Sequence, residues 1–190
     1  MREIALHLLD IAENSVAAGA HTITIKVCED LHRDRLTASV TDDGKGMDAE
    51  MAAKVVDPFV TSRTTRKVGL GIPLFKAAAE ACNGGLVIHS QIGKGTCLEV
   101  DFQHSHIDRM PLGDIASTLL TLVVAYPQIR WIFEYTTAAK KGLPQEQFTF
   151  DTQPIIAELG EIPLTEPEIL AFLHETIDNG VNQAQAALNN

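Results

Sequence analysis

Apolar and polar positions alternate most cleanly in the stretch Leu36-Thr37-Ala38-Ser39-Val40-Thr41-Asp42-Asp43-Gly44-Lys45-Gly46-Met47. Leu36, Ala38 and Val40 recur with the period of a strand that buries one face. The same count places Asp42 on the inward side, at the end of that strand. A carboxylate there needs a partner, because burying an unpaired charge is costly. Glycines follow at 44 and 46, so the backbone can turn sharply and approach a neighbour closely. Two readings of Asp42 stay open from this stretch alone. It accepts a hydrogen bond from a ligand's amine, or it bonds within its own Asp-Gly turn.

Elsewhere the period changes to that of helices. Residues Arg2 to about Ala18 carry a wide apolar face built from Ile4, Ala5, Leu8, Leu9, Ile11, Ala12, Ser15 and Val16. Glu3, His7, Asp10 and Asn14 form a polar stripe opposite, read as solvated. Asp10 and Asn14 are one turn apart, so both can point at one ligand. Thr22 to Cys28 alternates as a strand, and Glu29 to Asp34 reads as a polar hairpin loop leading back into the Leu36 strand. Asp48 is an N-cap for a short helix reaching about Val56.

Residues 57–68 have no apolar period. They hold four hydroxyl residues and three basic ones, followed by Gly69-Leu70-Gly71. Ile72, Phe75, Ala79 and Cys82 then fall at helical spacing, with Pro73 where a first helical turn tolerates it. A basic, hydroxyl-rich loop feeding glycines at a helix N-terminus has the makings of an anion site, because free N–H groups and the positive dipole end meet there. Leu86 to Ser90 and Thr96 to Phe102 read as two strands joined by a tight turn at Gly93-Lys94-Gly95. Thr96 shares the inward parity of Leu98, Val100 and Phe102, and so can reach the interior that Asp42 reaches. This order of elements predicts helices covering one face of a sheet, an α+β, two-layer α/β sandwich.

Past His104 the pattern predicts a helix from Ile115 to about Ala125 and a strand over Ile129 to Tyr135. A turn follows over Ala138 to Gln147. A second strand begins at Phe148 and resumes near Ile155-Ile156-Ala157. A helix begins after Thr165 and buries Ile169, Leu170, Leu173 and Ile177, with fraying from Gln183. Trp131 and Tyr135 read as core. His104, His106 and Asp108 alternate as metal ligands on one strand face would, but no fourth ligand is evident and a polar linker is the preferred reading.

Composition narrows the classes. The chain has 190 residues, an apolar fraction of 45% and a net charge of -10, with a mean hydropathy of +0.05. These are the values of a globular domain, and the acidity argues against a nucleic-acid binder. No apolar run is long enough to cross a membrane. Cys28, Cys82 and Cys97 form no metal or redox spacing, and with no secretion signal they read as free thiols in a cytoplasmic protein. Residues 104–190 are more acidic than residues 1–103, at net -7 against -3.

Several of these stretches together resemble the GHKL superfamily of ATP-binding domains, which includes gyrase, MutL, histidine kinases and anti-sigma-factor serine kinases. Leu9-Asp10-Ile11-Ala12-Glu13-Asn14-Ser15-Val16-Ala17-Ala18-Gly19-Ala20 is similar to the family's asparagine box, in wording nearest MutL. Asp42-Asp43-Gly44-Lys45-Gly46-Met47 resembles the first glycine box. Asp57-Pro58-Phe59-Val60-Thr61-Ser62-Arg63 resembles the kinases' phenylalanine box, and Gly69-Leu70-Gly71-Ile72 their second glycine box. Gly93-Lys94-Gly95-Thr96 resembles the threonine hairpin.

The resemblance covers residues 1–103. It implies a Bergerat-type ATP-binding fold, with residues 104–190 as a C-terminal α/β appendage of unknown role. It also implies an ATP cofactor with Mg²⁺. Asp42 would take the adenine amine, helped by Thr96 through water. Gly44, Gly46 and Met47 would line the nucleotide. Asn14 would hold the metal, a hard cation suited to oxygen ligands. Thr61, Arg63, Thr64, Thr65, Arg66, Lys67, Gly69, Leu70 and Gly71 would wrap the phosphates. Asp10 occupies the general-base position, where it would orient a water or an accepting group.

This sequence departs from the family at Asp10, where Glu is commoner and one methylene longer. It has no phosphoacceptor motif around His7, and its loop between Phe59 and Gly69 is shorter than the lids of gyrase and MutL. The kinase branches fit that loop better. The implied function is a protein kinase of Ser/Thr or His type, acting on a separate regulatory protein partner. The alternatives are a nucleotide-dependent binding switch and a slow ATPase clamp. No nucleic-acid or membrane partner is expected, and a homodimer is allowed.

Overall fold

The computed structural model describes residues 3–57, 71–138, 145–186 and 188. The amphipathic helix α1 (Ile4–Ala17) leads into the hairpin of β1 (Thr22–Asp30) and β2 (Arg35–Asp42). The short α2 (Ala49–Val55) follows, capped as expected by the Asp48 side chain, which accepts from Met51 N–H at 2.7 Å. Next come α3 (Gly71–Ala81) and a second hairpin, β3 (Gly85–Gln91) and β4 (Gly95–Gln103). The remainder is α4 (Ile115–Ala125), β5 (Arg130–Ala138), β6 (Gln145–Asp151), α5 (Thr152–Leu159) and α6 (Pro167–Ala186).

The strands form one six-stranded sheet in the order β3-β4-β2-β1-β5-β6. Among the described residues only the β1–β5 pair is parallel, matching Thr22 with Arg130 through to Asp30 with Ala138. Helices α3, α1, α4 and α6 cover one face in that order. The other face carries the polar half of each alternation, such as Thr22, Thr24 and Lys26 on β1. This is the expected sandwich, with a half-solvated sheet that antiparallel pairing permits.

The sheet runs unbroken across position 104. Strand β5 lies directly against β1, and Trp131, Phe133 and Tyr135 bury their rings in the same core as Ile23, Ile25, Leu36 and Phe102. Each such side chain contributes on the order of 1.5–3 kcal/mol by leaving water. The segment after β4 also completes α1. Ile4 and Ala5 donate their backbone N–H groups to the carbonyls of Pro111 and Leu112 at 3.0 and 2.8 Å. These are donors that a helix start leaves without intrahelical partners.

Four expectations change, and the alternative of a metal-ligand face at residues 104–108 falls away. Glu29 and Asp30 belong to β1 and not to the hairpin loop, and Glu29 is buried. The Glu29 carboxylate accepts from Tyr135 Oη, from Gln185 Nε2 at 3.2 Å and shares a hydrogen bond with His104 Nε2 at 2.6 Å. That network offsets the cost of burying a charge. Ile155 to Ala157 is helical, not a strand. Asp151 caps α5 by accepting from Gln153 N–H at 2.9 Å, and the β-branched pair is what gave the strand signal. Helix α6 continues past Gln183, because Ala184 is buried and its carbonyl accepts from Thr137 Oγ1 at 3.0 Å. Residues 104–108 form turns, so the alternating ligand face does not exist, and among the described residues no three His, Cys, Asp or Glu side chains are placed to hold a metal. His7, finally, is buried and stacked on Phe75 of α3, with ring centroids 4.4 Å apart, because α3 packs over that part of the polar stripe, whose other members are half-buried. No helix of the described residues is long and apolar enough to cross a membrane.

Candidate functional site

Asp42 ends β2 on the inward side and is 8% exposed. Its two carboxylate oxygens are held from three directions. Ser15 Oγ, from α1, donates to Oδ2 at 2.6 Å. The N–H of Gly44 donates to Oδ1 at 2.9 Å, and that of Thr96 does so at 3.3 Å. The Thr96 contact follows from sheet register, since Asp42 and Thr96 are paired across β2 and β4. Ser15 sits on the buried side of α1, where its hydroxyl needs a partner. Of the two open readings of Asp42, the bond within its own Asp-Gly turn is present. The side chain closes its own turn, and with Oδ1 accepting two bonds and Oδ2 one, a lone pair remains on Oδ2 for a further donor.

The loop after Asp42 is pinned on both sides. Asp43 Oδ1 accepts from the N–H groups of His21 and Thr22 at 2.7 and 3.0 Å. Burial pushes the Asp43 carboxyl up, but these donated bonds outweigh it and hold it below the usual range. Lys45 N–H reaches Ala18 O at 3.0 Å, and Gly93 N–H reaches Lys45 O at 2.8 Å. Gly46 takes a φ of +65°, and a Cβ there would lie 2.0 Å from Gln91 O, so only glycine fits between the loop and the hairpin. Met47 N–H donates to Ser90 Oγ at 2.7 Å. Ser90 in turn donates to Gly95 O at 3.1 Å and lies 2.9 Å from Thr96 Oγ1. Ser90 therefore ties the glycine loop to the threonine hairpin.

A cavity of about 740 Å³ opens beside this assembly, between α2, the β3–β4 hairpin and the end of β2. Asp42, Ser90 and Thr96 contribute its polar wall. Ala49, Ala52 and Ala53 from α2, with Leu86 and Ile88 from β3, contribute the apolar one, and Lys76 and Lys94 stand at it as cations. The size is that of a pocket for a cofactor, and a mostly apolar wall with a few fixed polar groups suits a flat aromatic ligand.

Asp10 and Asn14 lie on α1, half-buried and one turn apart, outside the wall of that cavity. The Asp10 carboxylate is set against the start of α3. A Cβ placed on Gly71 would fall 1.6 Å from Asp10 Oδ2. The asparagine box and the second glycine box therefore meet through Asp10 and Gly71. Beside them, burial pushes the His7 imidazole below its ordinary value, opposed by the Gly71 backbone, and among the described residues its Nδ1 is a buried polar atom with no hydrogen-bond partner. Gly44 and Met47 lie in the pinned loop. Thr61, Arg63, Thr64, Thr65, Arg66, Lys67, Gly69 and Leu70 fall outside the described residues.

Two side chains in this assembly were not singled out from the sequence as site residues. Ser15 had a signal, being a hydroxyl on an otherwise apolar helix face. Ser90 had one too, since it shares inward parity with Leu86 and Ile88 and pairs with Thr96.

Residues 1–106 match the family model described as histidine kinase-, DNA gyrase B- and HSP90-like ATPase. Among curated relatives, the non-motile and phage-resistance protein of Caulobacter vibrioides is 32% identical over 117 residues, 57% of this chain and 14% of that protein. The sensor protein kinase FleS of Pseudomonas aeruginosa is 39% identical over 90 residues, 47% of this chain and 22% of that protein. The chain thus spans less than a quarter of the length of either relative. Among solved structures, the N-terminal domain of a DNA repair protein superposes with a TM-score of 0.51 at 12% identity, covering 79% of this chain and 53% of that one. That likeness is one of fold.

Proposed function

Because this chain belongs to the histidine kinase-, DNA gyrase B- and HSP90-like ATPase family, we propose that it is a cytoplasmic, Mg-dependent ATP-binding protein that phosphorylates a separate regulatory partner. The single observation that carries the nucleotide reading is Asp42. It is buried, tethered by Ser15 Oγ at 2.6 Å, and set in the wall of a large cavity opposite Thr96. An ionised carboxylate only accepts hydrogen bonds. In this reading it takes the exocyclic amine of adenine, and a carbonyl at that position would meet a second acceptor and be rejected.

In the same reading Asn14 would supply a neutral oxygen to Mg²⁺, a hard cation suited to oxygen ligands. The donor chemistry suits such an ion, since Asn14 and Asp10 offer oxygen atoms from one side of α1. When bound, the metal would offset phosphate charge. Arg63, Arg66 and Lys67 would add cationic groups to the phosphates, and Gly69 to Gly71 their backbone N–H groups. Asp10 would orient the accepting hydroxyl or imidazole and take up its proton. Residues 1–103 hold the nucleotide in this account, and residues 104–190 recognise the partner. The kinase assignment is supported by the relative FleS, itself described as a sensor protein kinase.

One observation favours a second reading. Asp10 is a methylene shorter than the family's usual Glu, and its Oδ2 is closed off on one side by Gly71. A base so confined suits slow turnover, as in a nucleotide-dependent switch or ATPase clamp. Incubation with γ-labelled ATP and co-purified partners separates the two. Label on a partner supports the kinase. ATP binding with no labelled partner supports the switch, and absence of ATP binding removes both.

A further inference from the structure

The acidity of the chain is concentrated at its end. Residues 142–190 contain eight carboxylate side chains and no lysine or arginine. Between this sector and the end of α4, at the corner where α5 turns into α6, lies an apolar groove of about 330 Å³. Val124, Ile156, Leu159, Ile162 and Leu164 line it. Three of these are large apolar side chains left exposed, with Ile162 at 53%. A hydroxyl or amide would cost nothing at such positions, so a cluster of branched aliphatics around a depression marks a surface that something covers.

The rim says what kind of partner fits. Glu161 and Glu166 flank the lining segment 162–165 in the chain, and both are exposed. Among the described residues neither of them is paired with a cation. An apolar trough bounded by uncompensated carboxylates attracts a segment with an aliphatic stripe flanked by lysine or arginine, and repels anionic lipid and nucleic acid. We propose that this groove docks a cationic amphipathic helix of a partner protein, its aliphatic stripe on Ile156 and Ile162 and its basic flanks on Glu161 and Glu166. Grooves of this form read apolar anchors at helical spacing, and the rim charges set approach rate and orientation. The proposal does not depend on the nucleotide reading, since none of these residues touches the Asp42 cavity.

The test is fluorescence anisotropy on the full chain, with a labelled 14-residue Leu/Lys peptide patterned as an amphipathic helix. The comparison probes are a scrambled peptide of equal composition and a Leu/Glu peptide of the same pattern. Saturable binding of the patterned Leu/Lys peptide alone is expected. Ile162→Gln and Glu161→Lys should each weaken it at least tenfold. Glu99→Lys, an equal change of charge on the open sheet face, should alter it less than twofold. Equal binding of the scrambled peptide overturns the proposal. So does an Ile162→Gln variant that folds and binds as wild type, a Glu99→Lys effect matching that of Glu161→Lys, or binding to phosphatidylserine vesicles that Ile162→Gln abolishes.

Discussion

Replacing Gly71 by alanine tests the junction between α1 and α3. A Cβ on Gly71 would stand 1.6 Å from Asp10 Oδ2, where real contacts essentially never fall below 3.0 Å. Something must therefore move by about 1.4 Å. The carboxylate is the end of a flexible side chain, and α3 is a packed helix whose Phe75 is fully buried. The carboxylate gives way. An off-rotamer side chain costs about 0.5–1.5 kcal/mol, and alanine at a helical position returns up to about 1 kcal/mol. The melting temperature should change little. Displacing a catalytic group by about 1 Å can cost on the order of 100-fold in rate. Gly71→Ala should thus lower phosphate transfer or release by about two orders of magnitude, with ATP affinity within a few fold. In an Asp10→Ala background it should have almost no further effect, because the group it displaces is already gone. Turnover is measured by γ-phosphate release and affinity by calorimetry. Wild-type turnover in Gly71→Ala would refute the reasoning, as would the same rate loss on top of Asp10→Ala.

Three further outcomes follow from the hydrogen-bond networks and buried groups. Ser15→Ala removes the donor to Asp42 Oδ2 and should weaken ATP binding about tenfold, or about 1.4 kcal/mol, as read by calorimetry; unchanged affinity would remove Ser15 from the site. Burial pushes the Glu29 carboxyl up, but bonds from Tyr135, His104 and Gln185 outweigh it and hold it below its ordinary value of 4.5. Glu29 therefore contributes stability that is present above that value and lost as pH falls through the folded one. Glu29→Gln should be less stable at neutral pH and show a flatter acid limb in pH-dependent melting. His7 has the same sign for a different cause, since its neutral form is the one the fold favours. Burial lowers its pKa below 6.5, so the unfolded chain takes up the proton first and wild type loses stability as pH falls below that value. His7→Phe, which keeps the stack on Phe75, should melt with a weaker pH dependence between pH 6.5 and the folded pKa; an unchanged slope would exclude His7 as its source.

The strand ending in Asp42 could be read from the chain because period-two alternation survives any tertiary context that buries one face. The inward parity of Thr96 was legible in the same way, whereas its pairing with Asp42 across β2 and β4 is a property of the whole sheet. Other features depended on partners distant in sequence. Glu29 looked like a loop residue because its burial is made tolerable by Tyr135, His104 and Gln185, between 75 and 156 positions away. His7 looked solvated because only the packing of α3 decides what faces that side of α1. Ile155 and Ile156 carried a strand signal that the Asp151 cap and the groove-side packing of α5 overrule. The C-terminal strands were placed in an appendage because nothing local in Ile129 to Tyr135 tells which strand they join. Their parallel register on β1 is a property of the whole sheet.

Calorimetric titration of the intact chain with Mg-ATP, repeated on Asp42→Asn, addresses the nucleotide assignment most directly. The account predicts saturable binding by wild type and at least tenfold weaker binding by the variant, equivalent to about 1.4 kcal/mol. Equal affinity in both proteins, or no binding by the wild type, would contradict it.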